Sequence, residues 1–194
     1  GELRFGKAWS YGVEFMLRKQ KGRFSGWLGY TYSRSFKQIT GINNDKTFPA
    51  FYDRPHDICL NLSYNNFKHW VFSVNWIYQT GAAISTPVSF YYYNGYTVPI
   101  FSEKNNDRLP DYHRMDISVT YKLSKPEKRY QHFFILTIYN AYGRNNPISV
   151  NFNKIIDDKG NFFIPADLSG KNEIVPTLVS VAGFIPSITY NFKF

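Results

Sequence analysis

The strictest constraint on this chain is a two-residue rhythm, plainest in its closing stretch. Across Pro186–Phe194, Ile188, Tyr190, Phe192 and Phe194 alternate with Ser187, Thr189, Asn191 and Lys193. Successive side chains of a β-strand point to opposite faces, so this stretch is a ribbon with one apolar side and one wet side. A soluble sandwich can use such a strand. A terminal strand ending on a bulky aromatic fits a transmembrane barrel better: its apolar side meets lipid, its aromatics sit at the interface, and it closes the wall.

The rhythm recurs upstream. Tyr11, Val13, Phe15 and Leu17 oppose Gly12, Glu14, Met16 and Arg18 within Trp9–Lys19. Ile58, Leu60, Leu62 and Tyr64 oppose Asp57, Cys59, Asn61 and Ser63 within His56–Tyr64. Within His69–Gln79 the apolar row is Trp70, Phe72, Val74, Trp76 and Tyr78. In Tyr112–Leu123 it is Met115, Ile117, Val119, Tyr121 and Leu123, set against Asp116, Ser118, Thr120 and Lys122. Two stretches are less sharp. Arg23–Phe36 carries Phe24, Leu28, Tyr30 and Tyr32 on one parity but Trp27 on the other. The run from Tyr130 to Tyr139 is apolar on both parities, with Phe134, Leu136 and Ile138 read as outward. It is expected to continue beyond the membrane through Ile148 to Ile156, with a hairpin tip at Asp157-Asp158-Lys159-Gly160. A seventh strand then begins after Val175 and ends at Phe194.

Composition agrees with strands rather than helices. Aromatics make up 20% of the 194 residues, yet mean hydropathy is −0.38, because apolar residues alternate with polar ones instead of clustering. No run of about 18 apolar residues exists to form a membrane helix. The net charge of +9 comes largely from basic residues at strand ends, such as Lys19, Lys21 and Arg23, or Lys125, Lys128 and Arg129. That placement suits turns and lipid headgroups. It does not make the single basic face, interleaved with stacking aromatics, that nucleic acid requires. Cys59 is the only cysteine, which precludes an internal disulfide. Gly1 reads as a processed or truncated start, without a signal peptide.

Two regularities favour a membrane barrel over a sandwich. The connections alternate short and long, as periplasmic turns and extracellular loops do. Charges within the clear strands (Glu14, Arg18, Asp116, Lys122, Lys193) avoid the aromatic face, where Lys or Arg near the bilayer midplane would cost about 2–4 kcal/mol. The fold class expected is therefore all-β: a transmembrane antiparallel β-barrel segment of about seven strands. Seven is an odd number, and an open edge would leave backbone groups unpaired in lipid. Residues 1–194 are accordingly expected to be the C-terminal segment of a larger outer-membrane barrel, with other parts absent.

Several stretches are similar to the TonB-dependent receptors of Bacteroidota-type bacteria. They are Ser10–Leu17, Trp27–Ser33, Asp53-Arg54-Pro55-His56-Asp57, Arg108–Asp116, Asn140–Pro147 and Phe184–Phe194. Their order and spacing across nearly the whole chain carry the likeness, and the closing stretch resembles the general receptor branch more than the glycan-importing one. The resemblance implies a 22-stranded barrel of which these would be strands 16 to 22, the C-terminal third. It implies a location in the bacterial outer membrane and import of a scarce nutrient (siderophore, cobalamin, glycan or peptide) through a plugged barrel. The implied partners are outer-membrane lipid and lipopolysaccharide, the rest of the barrel and its plug, TonB through the missing N-terminal part, and the barrel-assembly machinery. That machinery would read the final strand, Ile188, Tyr190, Phe192 and Phe194. No cofactor, catalytic residue or metal is implied.

Among candidate sites, Phe90, Tyr91, Tyr92, Tyr93 and Tyr96 in the second long loop could present a ligand-facing platform, since aromatic faces stack on sugars and chelate rings. Packing of that loop against its neighbours is the favoured alternative. The histidines His56, His69, His113 and His132 lie at different strand ends, which favours structural or interfacial roles over a metal site. Asp53, Arg54 and Asp57 beside Asp111, Arg114 and Asp116 are expected to form a self-compensating ion-pair network at the outer rim. Two further function classes stay open: an outer-membrane barrel enzyme using Asp111 and His113, and a secreted aromatic-rich β-sandwich binding module.

Overall fold

A computed structural model describes residues 3–94, 96–124, 129–154, 174–180 and 183–194. Lys125–Lys128 and the expected hairpin tip at Asp157–Gly160 lie outside them. The described residues hold β1 (Gly6–Lys19), β2 (Phe24–Ile39), β3 (Phe48–Pro49), β4 (His56–Tyr64), β5 (Trp70–Gln79), β6 (Ala83–Ile84) and β7 (Ser89–Tyr93). They continue with β8 (Tyr96–Ile100), β9 (Asp107–Arg108), β10 (Tyr112–Lys122), β11 (Gln131–Tyr139), β12 (Pro147–Lys154), β13 (Ile174–Ser180) and β14 (Ile185–Lys193). One short 3-10 turn, Asn43–Asp45, sits between β2 and β3.

Seven of these strands form one antiparallel wall in the order β1-β2-β4-β5-β10-β11-β14, and β3 folds back onto β2. The register carries the sequence rhythm across the whole wall. Leu17 lies opposite Leu28, Leu28 opposite Leu60, Leu60 opposite Trp76 and Trp76 opposite Met115. Nearer the short turns, Tyr64, Phe72, Val119, Leu136 and Ile188 line up in the same way. A one-residue slip at any seam would send half the apolar rows to the opposite face. None occurs. Both ambiguous strands are settled by their neighbours: Tyr30 sits against Phe15 and Ile58, while Phe134 sits against Tyr121 and Tyr190.

The opposite face is polar and built from small side chains. One row reads Ser25, Ser63, Ser73, Ser118, Thr137 and Ser187 across six adjacent strands. The Ser63 and Ser73 hydroxyls meet at 2.9 Å. Glu14, Arg18, Asp116, Lys122 and Lys193 share this face.

The apolar face is not a core. Leu17 is 73% exposed and Ile188 is 76% exposed. Among the described residues the buried apolar side chains are Phe48, Ala50, Ala83 and Leu109, all in the long loops. This excludes the β-sandwich, whose inner face would have to bury these rows. Two aromatic belts border the exposed band. Toward the short turns run Phe24–Tyr64, Trp70–Tyr121, Phe134–Tyr190 and Tyr130–Phe192, with ring centroids 4.5 to 6.0 Å apart. Toward the long loops lie Tyr30 and Tyr32 with His56, Trp76 with Tyr78, and His113 with Tyr142. From Trp70 to Tyr78 the strand rises about 27 Å at about 3.4 Å per residue. Tilting by about 40° reduces this to about 21 Å, close to the ~25 Å apolar band of an outer-membrane barrel.

Three features depart from the sequence reading. First, β1 and β2 run to 14 and 16 residues, overshooting the membrane span on the long-loop side. Outward Lys7 and Arg34 lie in that overshoot, beyond the lipid rows. Second, β11 stops at Tyr139 instead of continuing to Ile156, because Asn140 takes a positive φ of 52° and breaks the extended backbone. The chain resumes as β12, which pairs with β13 in a separate two-stranded sheet. Third, the loop between β5 and β10 is not irregular: it contains the β6–β9 and β7–β8 pairs.

Candidate ligand-facing rim

The long loops gather at one end of the wall and lock together. Asp53, whose side chain has no exposed surface, is the junction. Its Oδ1 accepts from the Ser35 backbone N–H at 2.6 Å and from Arg34 Nε at 3.3 Å. Its Oδ2 accepts from Arg108, which also donates to the Asp53 carbonyl at 2.6 Å and the Gly81 carbonyl at 3.0 Å. A buried carboxylate is stable only with such partners. One side chain thus ties β2, the first long loop and the second long loop together.

Asparagine amides repeat this work at other seams, because a primary amide can donate and accept at one backbone site. Asn43 donates to the Lys104 carbonyl at 3.0 Å and accepts from the Lys104 N–H at 2.7 Å. Asn146 does the same with His113, at 2.9 and 3.1 Å. Asn140 pairs with the Arg144 backbone at 2.9 and 3.2 Å. Asn105 donates to the Pro49 carbonyl at 2.7 Å. Gly81 permits the tightest crossing: a Cβ there would collide with the Leu109 carbonyl oxygen.

The expected ion-pair network is differently wired. Asp53 pairs with Arg34 and Arg108, neither of which stood in the expected set. Arg114 and Asp116 do pair, at 2.9 Å, and the Arg114 guanidinium lies 4.2 Å over the Tyr139 ring. Arg54 instead donates to Gln79, and Gln79 donates to Asp57 at 2.6 Å. Asp111 accepts from the Tyr78 hydroxyl at 2.6 Å and the Gly81 N–H at 2.9 Å, and these bonds hold its carboxyl below the usual carboxylate range. His113 Nδ1 is hydrogen-bonded to the Tyr142 hydroxyl at 2.8 Å. Asp111 and His113, the pair considered for an enzyme, are thus engaged with separate partners.

The aromatic stretch projects from this locked base as the β7–β8 hairpin, with Tyr93 opposite Tyr96, Tyr92 opposite Thr97 and Phe90 opposite Pro99. Tyr91 is 49% exposed and Tyr93 63% exposed. The side chains of Phe90, Tyr92 and Tyr96 lie outside the description. Sequence reasoning missed that this segment is a hairpin on a rigid support, although the turn residues Asn94-Gly95 between two aromatic runs were a usable signal.

At the other end, β14 places Ile188 against Leu136, Tyr190 against Phe134 and Phe192 against His132. Phe194 follows, 86% exposed, its ring 6.0 Å from that of Phe192. The His132 imidazole is hydrogen-bonded to the Tyr190 hydroxyl at 2.7 Å, fixing the last strand to β11 within the aromatic belt.

An antiparallel wall with a lipid-type face, two aromatic belts, a polar inner face and long loops at one rim defines the outer-membrane β-barrel class. The chain belongs to the TonB-dependent receptor β-barrel family: the family model described as TonB dependent receptor-like, beta-barrel, matches residues 3–145. No curated protein and no solved structure matches the chain. The family is one of outer-membrane receptors and transporters of Gram-negative bacteria that work with a plug and TonB.

Proposed function

We propose that this chain supplies seven adjacent wall strands, the C-terminal third, of a TonB-dependent importer in the outer membrane. Further strands would pair with the free edges of β1 and β14 and enclose a plug. One observation carries the reading: the register sends the apolar rows of all seven strands to one exposed face, while the buried apolar side chains among the described residues lie in the loops of one rim. The cargo is a scarce nutrient of the siderophore, cobalamin, glycan or peptide kind, and the β7–β8 hairpin offers it stacking surfaces. The exposure of Tyr91 and Tyr93 supports ligand contact over self-packing of the loop.

The test is uptake by the full-length receptor in cells with and without TonB, using labelled cargo from each of the four classes. Replacing Tyr91 and Tyr93 with Ala should abolish uptake of the cargo at unchanged receptor abundance; undiminished uptake would remove the hairpin from the mechanism. The final strand has a second role in this proposal, as the barrel-closing segment read by the assembly machinery. Deleting Phe194 should slow appearance of the heat-modifiable, folded form in the outer membrane, and normal insertion would rule that role out.

A further inference from the structure

One small recess, of about 140 Å³, stands out by its place and lining. It opens where β5 and β10 leave the polar face and enter the loop cluster. Arg54, Gln79 and Tyr112 supply its polar side; Leu109, Pro110 and Ile148 supply its apolar side. At about 30 Å³ per water-sized group, it holds roughly five heavy atoms.

The charges around it are unevenly satisfied. Asp53 is taken by Arg34 and Arg108. Asp57 is bonded by Gln79 and Cys59, and Asp111 by Tyr78 and Gly81. Arg54 donates to the neutral Gln79 amide and, among the described residues, has no carboxylate within ion-pair distance. The Tyr112 hydroxyl accepts from Arg114 at 3.1 Å, which leaves its own proton to give. An arginine fork and a phenol proton beside a short apolar wall match one chemistry above others: a carboxylate carried on a small aliphatic group.

We infer that this recess is a subsite for the carboxylate end of an arriving solute, with Arg54 as the charged partner, Tyr112 as the second donor and the Leu109–Pro110–Ile148 wall holding the adjoining carbons. It rests on the receptor reading only for the direction from which solute arrives. An acidic side chain of the plug shares this chemistry and is the competing source.

The experiment is saturation-transfer NMR on the detergent-solubilised full-length receptor, with isobutyrate and its neutral isostere isobutyramide as probes. Isobutyrate should give a signal about tenfold above isobutyramide, lost in Arg54→Gln and reduced in Tyr112→Phe, as expected for charge-assisted bonds. Heat-modifiability on gels reports folding of each variant, and Tyr112→Phe carries the test if Arg54→Gln does not fold. Equal signals from the two probes, or an undiminished isobutyrate signal in folded Arg54→Gln, would overturn the subsite. Binding that appears only after the plug is removed would assign the recess to the plug and overturn it as a solute site. Uptake that proves independent of TonB would refute the receptor reading while leaving these binding results standing.

Discussion

Arg108 and Asp53 stand 55 residues apart in sequence and meet in a guanidinium–carboxylate contact around a side chain with no exposed surface. Because Arg34 and the Ser35 N–H bond the same carboxylate, the contact joins the wall to two loops at once. Removing one partner of a buried ion pair costs about 3–5 kcal/mol, and the arginines here are a quarter exposed, which places the figure near the lower end, about 3 kcal/mol. Asp53→Asn should therefore speed amide hydrogen exchange around Ser35, Ala50 and Gly81 while leaving β4 and β5 protected. Uniform loosening of loops and wall would contradict the local clamp.

Asp111 gives the rim an acid sensitivity with a definite sign. Hydrogen bonds from Tyr78 and the Gly81 N–H hold its carboxyl below the ordinary value of 3.8. A depressed pKa in the folded state contributes stability that is complete above the ordinary value and is lost as pH falls through the lowered one. Loop protection near Gly81 should thus decline below about pH 4, and Asp111→Asn should flatten that decline. A decline that persists unchanged in Asp111→Asn would place its origin elsewhere.

Val119 and Ser118 are neighbours on β10 that face opposite sides of the wall. Val119→Arg should lower the stability of the bilayer-embedded receptor by about 2–4 kcal/mol in denaturant unfolding, whereas Ser118→Arg should cost far less. Equal costs would mean that the two faces do not meet different media.

The wall was legible in the sequence because a lipid face demands alternation and forbids charge, so Tyr11–Leu17 or Met115–Leu123 announce their own orientation. Where both parities are apolar, as in Phe133–Tyr139, one strand alone does not decide. The choice comes from Phe134 meeting Tyr190 and Tyr121 across two seams. The rim was less legible for a different reason. Its charged residues were visible, but charge names no partner: Asp53 binds Arg34 and Arg108, 19 and 55 residues away, rather than the adjacent Arg54. The folding of the second long loop into two strand pairs, one hairpin within the other pair, escaped too, since short strands of two to five residues leave too little rhythm to read. Asn140 ended β11 early through a left-handed backbone turn that alternation does not encode.

The central claim is that one face of this wall meets lipid and the other a polar interior. Single cysteines along β10 of the bilayer-reconstituted full-length receptor, in a Cys59→Ser background, labelled with a fluorophore and exposed to brominated lipid, test it most directly. Labels at Ile117, Val119 and Tyr121 should be strongly quenched, and labels at Asp116, Ser118 and Thr120 should not. Quenching that ignores parity, or that favours the second set, would contradict the account.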